Sequence, residues 1–215
     1  MKSNGHNSAP SSVISNETDL LLDGFPRSGN SFFTGLLSVS QGGKLKLADH
    51  LHASAHVKEA IKRKVPAIVV IRKPDDAAIS YMAFDRGICF QDSIEDWISF
   101  YTAIKSLNTE DYVLADFQDI ISDPNPIFRD FNQKFGDRLT LKETNYEQDK
   151  VAAREFLDDL SNRFFGRKND ARPSEERDRL KEKLNENLKD PANKSLIDEA
   201  LSIYQDLSNV HSTTA

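Results

Sequence analysis

Short apolar runs alternate with amphipathic segments over the first two thirds of the chain. Strands are predicted where the runs are short and bounded by turn residues, at 19–23, 44–47, 66–71 and 112–115. Helices are predicted where apolar residues recur at helical spacing, at 29–38, 57–64, from 74, at 93–106 and at 126–135. This alternation predicts an α/β fold of three layers, with a parallel central sheet flanked by helices.

The two ends of the chain differ from this middle part. Residues 1–17 are rich in Ser and Asn and hold no apolar stretch, which predicts a disordered tail without a secretory signal. Residues 18–210 predict a single domain, and its part from about 148 to 210 is helical and highly charged. No apolar run is long enough to span a membrane, so we expect a cytoplasmic protein with no membrane partner.

The charge balance restricts the kinds of ligand. A net charge of -6 disfavours a nucleic-acid partner, so an anionic ligand has to be held by a local cluster of basic residues. Cys89 is the only cysteine, which excludes an internal disulfide and a cysteine cluster for zinc. We interpret Cys89 as a small, half-buried apolar residue.

A glycine-rich loop follows the first predicted strand. The loop, Gly24-Phe25-Pro26-Arg27-Ser28-Gly29-Asn30-Ser31, has the spacing of the phosphate-binding pattern G-x-x-x-x-G-K-[ST], with Asn30 at the Lys position. Glycines let backbone N–H groups turn towards an anion, and the following helix adds positive potential. The missing Lys disfavours kinase or triphosphatase chemistry. A tight turn with no ligand is the alternative.

This loop resembles the 5′-phosphosulfate loop of sulfotransferases that use 3′-phosphoadenosine 5′-phosphosulfate (PAPS). The family pattern is [YF]-P-[KR]-S-G-[TN]-[TS], followed by a bulky apolar residue, here Phe32. The resemblance implies a P-loop NTPase-like fold and a contact between Arg27 and the donor phosphate. It also implies backbone and hydroxyl donors from residues 28–31 and stacking of Phe32 on the adenine. Core packing is the alternative role for Phe32.

A second segment resembles the family's 3′-phosphate signature, a strand followed by R-x-P-x-[DE]-x-x-x-S. Arg72 and Ser80 fall on its Arg and Ser positions, which implies that both hold the 3′-phosphate of the nucleotide. Arg72 could instead cap a helix or pair with an acidic neighbour. The resemblance covers about residues 19–85. The family's late basic loop has its nearest match at Arg167 and Lys168, which are expected to grip the nucleotide, with a solvated basic turn as the alternative.

The family places a histidine base between the two anion sites, usually as K-T-H-x-P. Here the segment 48–56 holds His50, His52 and His56. We prefer His52 as the base, with His50 at the Lys position, and His50 as base is the alternative. Three closely spaced histidines also fit a metal site, or a surface loop with incidental histidines.

These features together predict sulfuryl transfer. The resemblance implies that the chain moves a sulfuryl group from PAPS to a hydroxyl acceptor, which is a small molecule or a carbohydrate, without a metal. A P-loop nucleotide or small-molecule kinase is the first alternative. A non-catalytic module that binds the nucleotide as a signal is the second.

Overall fold

The sheet of the protein has four parallel strands in the order β2-β1-β3-β4. The computed structural model describes residues 13–140, 146–165 and 174–212. The strands are β1 (Leu20–Gly24), β2 (Leu47–Asp49), β3 (Ala67–Ile71) and β4 (Val113–Asp116). The predicted parallel sheet is therefore confirmed. The second strand begins at Leu47 instead of Lys44 because Leu47 is the residue that pairs with Leu20, the first residue of β1.

Helices follow the strands and cover both faces of the sheet. In the described residues they are α1 (Asn30–Ser40), α2 (Ser54–Lys62), α3 (Pro74–Phe84), α4 (Phe90–Lys105), α5 (Phe117–Ser122), α6 (Asn125–Phe135), α7 (Tyr146–Phe165), α8 (Glu175–Leu184) and α9 (Lys194–Ser212). The three-layer α/β fold class follows directly from this arrangement.

Alternation along the strands divides the core between the two faces. Leu20 and Leu22 contribute to one hydrophobic cluster, together with apolar residues of α1, α6 and α7. Leu21 contributes to the other cluster, with apolar residues of α2, α3, α4 and α9. Successive strand side chains point to opposite faces, so an all-apolar strand is expected when both faces are covered.

Three further local predictions need correction. The helix predicted at 93–106 begins at Phe90, and Cys89 is its N-cap, where the sulfur accepts a hydrogen bond of 3.4 Å from the Asp92 N–H. Cys89 is therefore exposed instead of half-buried, because it precedes the buried face of α4. Residues 13–17 of the predicted tail are placed in the structure, and Ile14 is buried against the core. Residues 1–12 lie outside the described part.

No helix among the described residues is long and apolar enough to cross a membrane.

The core beneath α6 provides a test of the packing. Phe131 is 1% exposed and contacts the ring of Phe135, whereas Phe156 on α7 is 36% exposed. We expect Phe131→Ala to lower the free energy of unfolding by about 3–5 kcal/mol, since it leaves a cavity. Phe156→Ala, the matched control, should cost less than about 1 kcal/mol. Urea denaturation measures both, and equal losses would contradict the assignment of the core.

Candidate functional site

The topology of the sheet creates a crevice at the carboxyl ends of β1 and β3. The chain leaves β1 into α1, which packs on one face, and leaves β3 into α3, which packs on the other. The two loops therefore diverge between adjacent strands, and ligands of open α/β sheets bind at such points. The glycine-rich loop and Arg72 lie on the two sides of this crevice.

The loop after β1 leads directly into the N-terminus of α1. Gly29 has φ 104° and precedes Asn30, the first residue of α1, and no side chain caps this end of the helix. A Cβ at residue 29 would lie 2.7 Å from the Phe117 ring, so both the backbone angle and the close contact require glycine. An uncapped helix N-terminus next to a glycine-rich turn is suited to binding an anion.

Arg27 lies at the centre of this loop. Its φ is 64°, and its guanidinium lies 4.8 Å from the centre of the exposed Phe84 ring. Burial, together with the positive charges of Arg177 and Arg72, lowers the pKa of Arg27 to about 10. Arg177 and Arg72 are therefore close enough to Arg27 to oppose its positive charge, and an anion bound at this position would relieve that repulsion.

Arg72 extends from the end of β3 towards the same loop. Its Nη1 donates a hydrogen bond of 3.2 Å to the Arg27 carbonyl, and its guanidinium lies 4.4 Å from the centre of the Phe117 ring. Because Phe117 also contacts Gly29, one aromatic ring touches both the loop and Arg72. Burial lowers the pKa of Arg72, while Asp76 and Asp75 act in the opposite direction. The two predicted arginines are thus brought together.

Two predicted ligand residues serve the loop itself. The hydroxyl of Ser28 lies 3.5 Å from the Tyr101 hydroxyl, and its N–H donates to the Phe25 carbonyl. The Asn30 amide donates to the carbonyls of Gly24 and Phe25 at 3.4 and 3.0 Å. The side chains of Ser28 and Asn30 are both buried, and these contacts brace the loop.

The other residues that the sequence predicts to bind the nucleotide are less closely connected to Arg27 and Arg72. Phe32 is half-buried and packs against the core on the α1 face, as in the alternative role. Ser80 is buried on α3 and takes no part in the hydrogen bond that joins Arg72 to the loop. Arg167 and Lys168 lie outside the described residues.

His52 is held against the start of the loop. Its Nδ1 lies 2.7 Å from the Gly24 carbonyl, and its N–H donates to Asp23 Oδ1 at 3.0 Å. Since a carbonyl oxygen can only accept, Nδ1 carries the proton, and Nε2 has the free lone pair in the neutral ring. Burial lowers the pKa of His52, aided by the charge of His50. His52 therefore has the properties of a base at neutral pH.

His50 lies in a different environment, although only one residue separates it from His52. Its Nδ1 lies 2.9 Å from Asp49 Oδ2, and its Nε2 lies 2.8 Å from the Ser31 hydroxyl. Burial opposes a charge on His50, but the hydrogen bond and charge of Asp49 outweigh it and raise the pKa of His50. The Thr34 hydroxyl donates to the same Asp49 oxygen at 2.8 Å and fixes that carboxylate.

The third histidine is structural. His56 is buried near the start of α2, and its Nδ1 lies 3.0 Å from Asp23 Oδ2. The three imidazoles thus use their Nδ1 atoms on three separate protein groups. In the part of the chain that the structure describes, no three metal-ligating side chains form a group.

Strained backbone is concentrated at this site. Four non-glycine residues in the described ranges have positive φ, and three of them are Arg27, His50 and His52, at 64°, 60° and 52°. Each such conformation costs about 1–3 kcal/mol and persists where the surrounding contacts determine it. The strain coincides with the residues that the sequence assigns to chemistry.

Comparisons with known proteins give limited information. No family model matches the sequence, and no curated protein sequence matches it. Among solved structures, the chain is similar to mouse sulfotransferase SULT7A1 complexed with PAP, at 12% identity and a TM-score of 0.47. The similarity covers 87% of this chain and 91% of that one. The functional conclusion therefore rests on the residues of the site.

Sequence analysis missed three residues that build the site. Asp23 is an acidic residue within an apolar strand, and that contrast was the available signal. Tyr101 belongs to the apolar stripe of α4, yet its hydroxyl donates to Val70 O and accepts from the Phe25 N–H. Phe117 follows β4, and only its position after a strand end pointed to the crevice.

The pKa values of the two neighbouring histidines should be shifted in opposite directions. We expect NMR to show His52 titrating below the ordinary pKa of about 6.5 and His50 above it. Asp49→Asn should lower the pKa of His50 more than that of His52. Because His50 binds its proton more tightly in the folded than in the unfolded protein, its protonation stabilises the fold. This stabilisation is complete below about pH 6.5, the unfolded pKa, and is lost as the pH rises through the folded pKa. Equal titration midpoints would contradict this assignment.

Proposed function

We propose that the protein is a sulfotransferase that moves a sulfuryl group from PAPS to a hydroxyl acceptor. The observation that carries the proposal is the contact between the Arg72 guanidinium and the Arg27 carbonyl at 3.2 Å, across the crevice between β1 and β3. Two basic groups on adjacent strand ends suit a ligand with two separated anionic groups, which describes a nucleotide bisphosphate.

Electrostatics supports an anionic ligand at this position. The chain has a net charge of -6, but positive charge accumulates where Arg27, Arg72 and Arg177 approach one another. Partly buried cations that repel each other are stabilised by an anion between them. The uncapped N-terminus of α1 adds backbone N–H donors to the same region.

The histidines supply the acid–base chemistry of the proposal. His52 Nε2 accepts the proton of the acceptor hydroxyl as its oxygen attacks the sulfur. The bond from sulfur to the phosphate oxygen breaks, and the bond from sulfur to the acceptor oxygen forms. Arg27 and the loop N–H groups stabilise the charge that develops on the departing bisphosphate. Asp23, close to the imidazole, favours the cation that His52 becomes.

Several parts of the proposal are expectations from the sequence. The acceptor is a hydroxyl of a small molecule or a carbohydrate, no metal takes part, and neither nucleic acid nor membrane is a partner. A cytoplasmic location belongs to the same set.

A kinase is the second candidate, and the loop disfavours it. Kinases of this loop type need a Lys that reaches the terminal phosphates and a hydroxyl that binds magnesium. Asn30 occupies the Lys position and folds back onto the loop, and the Ser31 hydroxyl is engaged by His50. A non-catalytic nucleotide sensor would share the pocket but would not turn over an acceptor.

Nucleotide binding can be tested by thermal denaturation. We expect adenosine 3′,5′-bisphosphate (PAP) to raise the Tm, because a ligand at 100 times its Kd adds about 2.7 kcal/mol of stability. ATP with magnesium should not raise it. Arg72→Ala should abolish most of the shift, while Arg63→Ala, an exposed arginine paired with Glu59, should retain it. A shift with ATP and magnesium but none with PAP would favour the kinase.

The role of His52 can be tested by kinetics. With PAPS and a panel of hydroxyl acceptors, His52→Ala should lower kcat by about 10²- to 10⁴-fold, because the base is removed. PAP affinity should be preserved, since the variant keeps both arginines. Full activity in His52→Ala, combined with loss of kcat and intact PAP affinity in His50→Ala, would assign the base to His50 instead.

A further inference from the structure

An Asp–His–Ser chain runs beside the candidate base and has no role in the proton transfer described for His52. Asp49 is 2% exposed at the end of β2, His50 follows it, and Ser31 is the second residue of α1. The Asp49 Oδ2 to His50 Nδ1 distance is 2.9 Å, and the His50 Nε2 to Ser31 Oγ distance is 2.8 Å. The chain ends at the helix terminus that is proposed to receive the anion.

The protonation state of His50 decides which way the Ser31 hydroxyl points. The Asp49 carboxylate only accepts, so Nδ1 carries a proton in either state. In the neutral ring, Nε2 accepts the Ser31 proton, and Ser31 then presents only lone pairs elsewhere. In the protonated ring, Nε2–H donates to Ser31 Oγ, and the Ser31 proton becomes free to donate to an anion.

We infer that His50 is a positioning residue whose protonated form turns the Ser31 hydroxyl towards the donor anion, so that nucleotide binding is coupled to uptake of a proton by His50. The inference rests on the proposed nucleotide site and adds a pH-dependent control of its affinity. By linkage, the protonated form favours the anion and the anion favours the protonated form.

The groups around His50 are consistent with a stable imidazolium. Asp49 faces it from β2, Asp23 from β1, and the His52 ring lies 5.7 Å away in an edge-on orientation. From α1, the Ser31 hydroxyl contacts His50 and the Thr34 hydroxyl contacts Asp49, and neither carries a charge. Burial opposes the imidazolium, and the two carboxylates outweigh it.

In this mechanism the two histidines have separate roles. His52 has to be neutral to accept a proton, and His50 has to be protonated to orient Ser31. Activity therefore requires a pH between the two titrations, because Asp49 favours a proton on His50 and burial disfavours one on His52.

Calorimetry of PAP binding provides the test. Titrations in cationic buffers of different ionisation enthalpy measure the protons taken up, without a buffer anion that competes for the site. We expect the unmodified protein to take up part of a proton near pH 7. Its affinity should fall as pH rises above the His50 titration, by up to about tenfold per pH unit for one linked proton.

Matched variants separate the two histidines. His50→Gln should weaken PAP binding at pH 6.5 by about tenfold and remove the proton uptake that is due to His50. Ser31→Ala should remove the uptake as well, and His52→Gln should retain it. Proton exchange by the phosphates of PAP is present in every variant, so a loss of uptake in His50→Gln that His52→Gln does not show assigns the uptake to His50. Identical proton uptake in His50→Gln and the unmodified protein would overturn the inference.

NMR of the histidine rings gives a second measurement that needs no variant. PAP should raise the His50 titration midpoint by about one pH unit, which corresponds to the tenfold change in affinity. A midpoint that PAP leaves unchanged would overturn the role of His50 while leaving the nucleotide site intact. Absence of any PAP binding would instead overturn the proposed function itself.

Discussion

The buried carboxylate of Asp23 is the contact on which the site depends. Asp23 lies at 0% exposure near the end of β1, where its Oδ1 accepts the N–H groups of Gly24 and His52 and its Oδ2 accepts His56 Nδ1. One side chain therefore joins the central strand, the histidine loop and the start of α2. A buried carboxylate is tolerated only when such partners replace water. The position of His52 follows from this arrangement.

The hydrogen bonds that hold the histidine loop explain how residues with strained backbone angles persist within it. His50 and His52 have left-handed backbone angles, which are unfavourable for side chains with a Cβ. Their hydrogen bonds to Asp49, Ser31 and the Gly24 carbonyl hold them in that conformation. Burial opposes a charge on both rings. At His50 the hydrogen bond and charge of Asp49 outweigh burial and raise the pKa, whereas at His52 burial outweighs the hydrogen bond to the Gly24 carbonyl and lowers the pKa.

The sequence predicted the sheet well because its signals are local. Apolar runs placed three of the four strands, the prediction for β2 overlaps the observed strand only at Leu47, and the glycine spacing placed the loop at the end of the first strand. Boundaries were less accurate where a residue acts through a distant partner: β2 begins where it meets Leu20, and α4 begins at a cysteine cap. Ser28 and Asn30 matched a ligand pattern, but their contacts with Tyr101, Gly24 and Phe25 are tertiary, and no spacing rule contains them.

The contacts of the two arginines are also tertiary and could not be read from the sequence. A pattern could place Arg27 and Arg72 on neighbouring strand ends, but it could not show that the Arg72 guanidinium donates a hydrogen bond to the Arg27 carbonyl. Nor could it show that Phe117 contacts both Gly29 of the loop and the Arg72 guanidinium. The aromatic rings and the carbonyl that contact the two guanidinium groups offset part of the cost of burying them. The repulsion between Arg27 and its neighbours Arg177 and Arg72 is left in place, and an anion bound between β1 and β3 would relieve it.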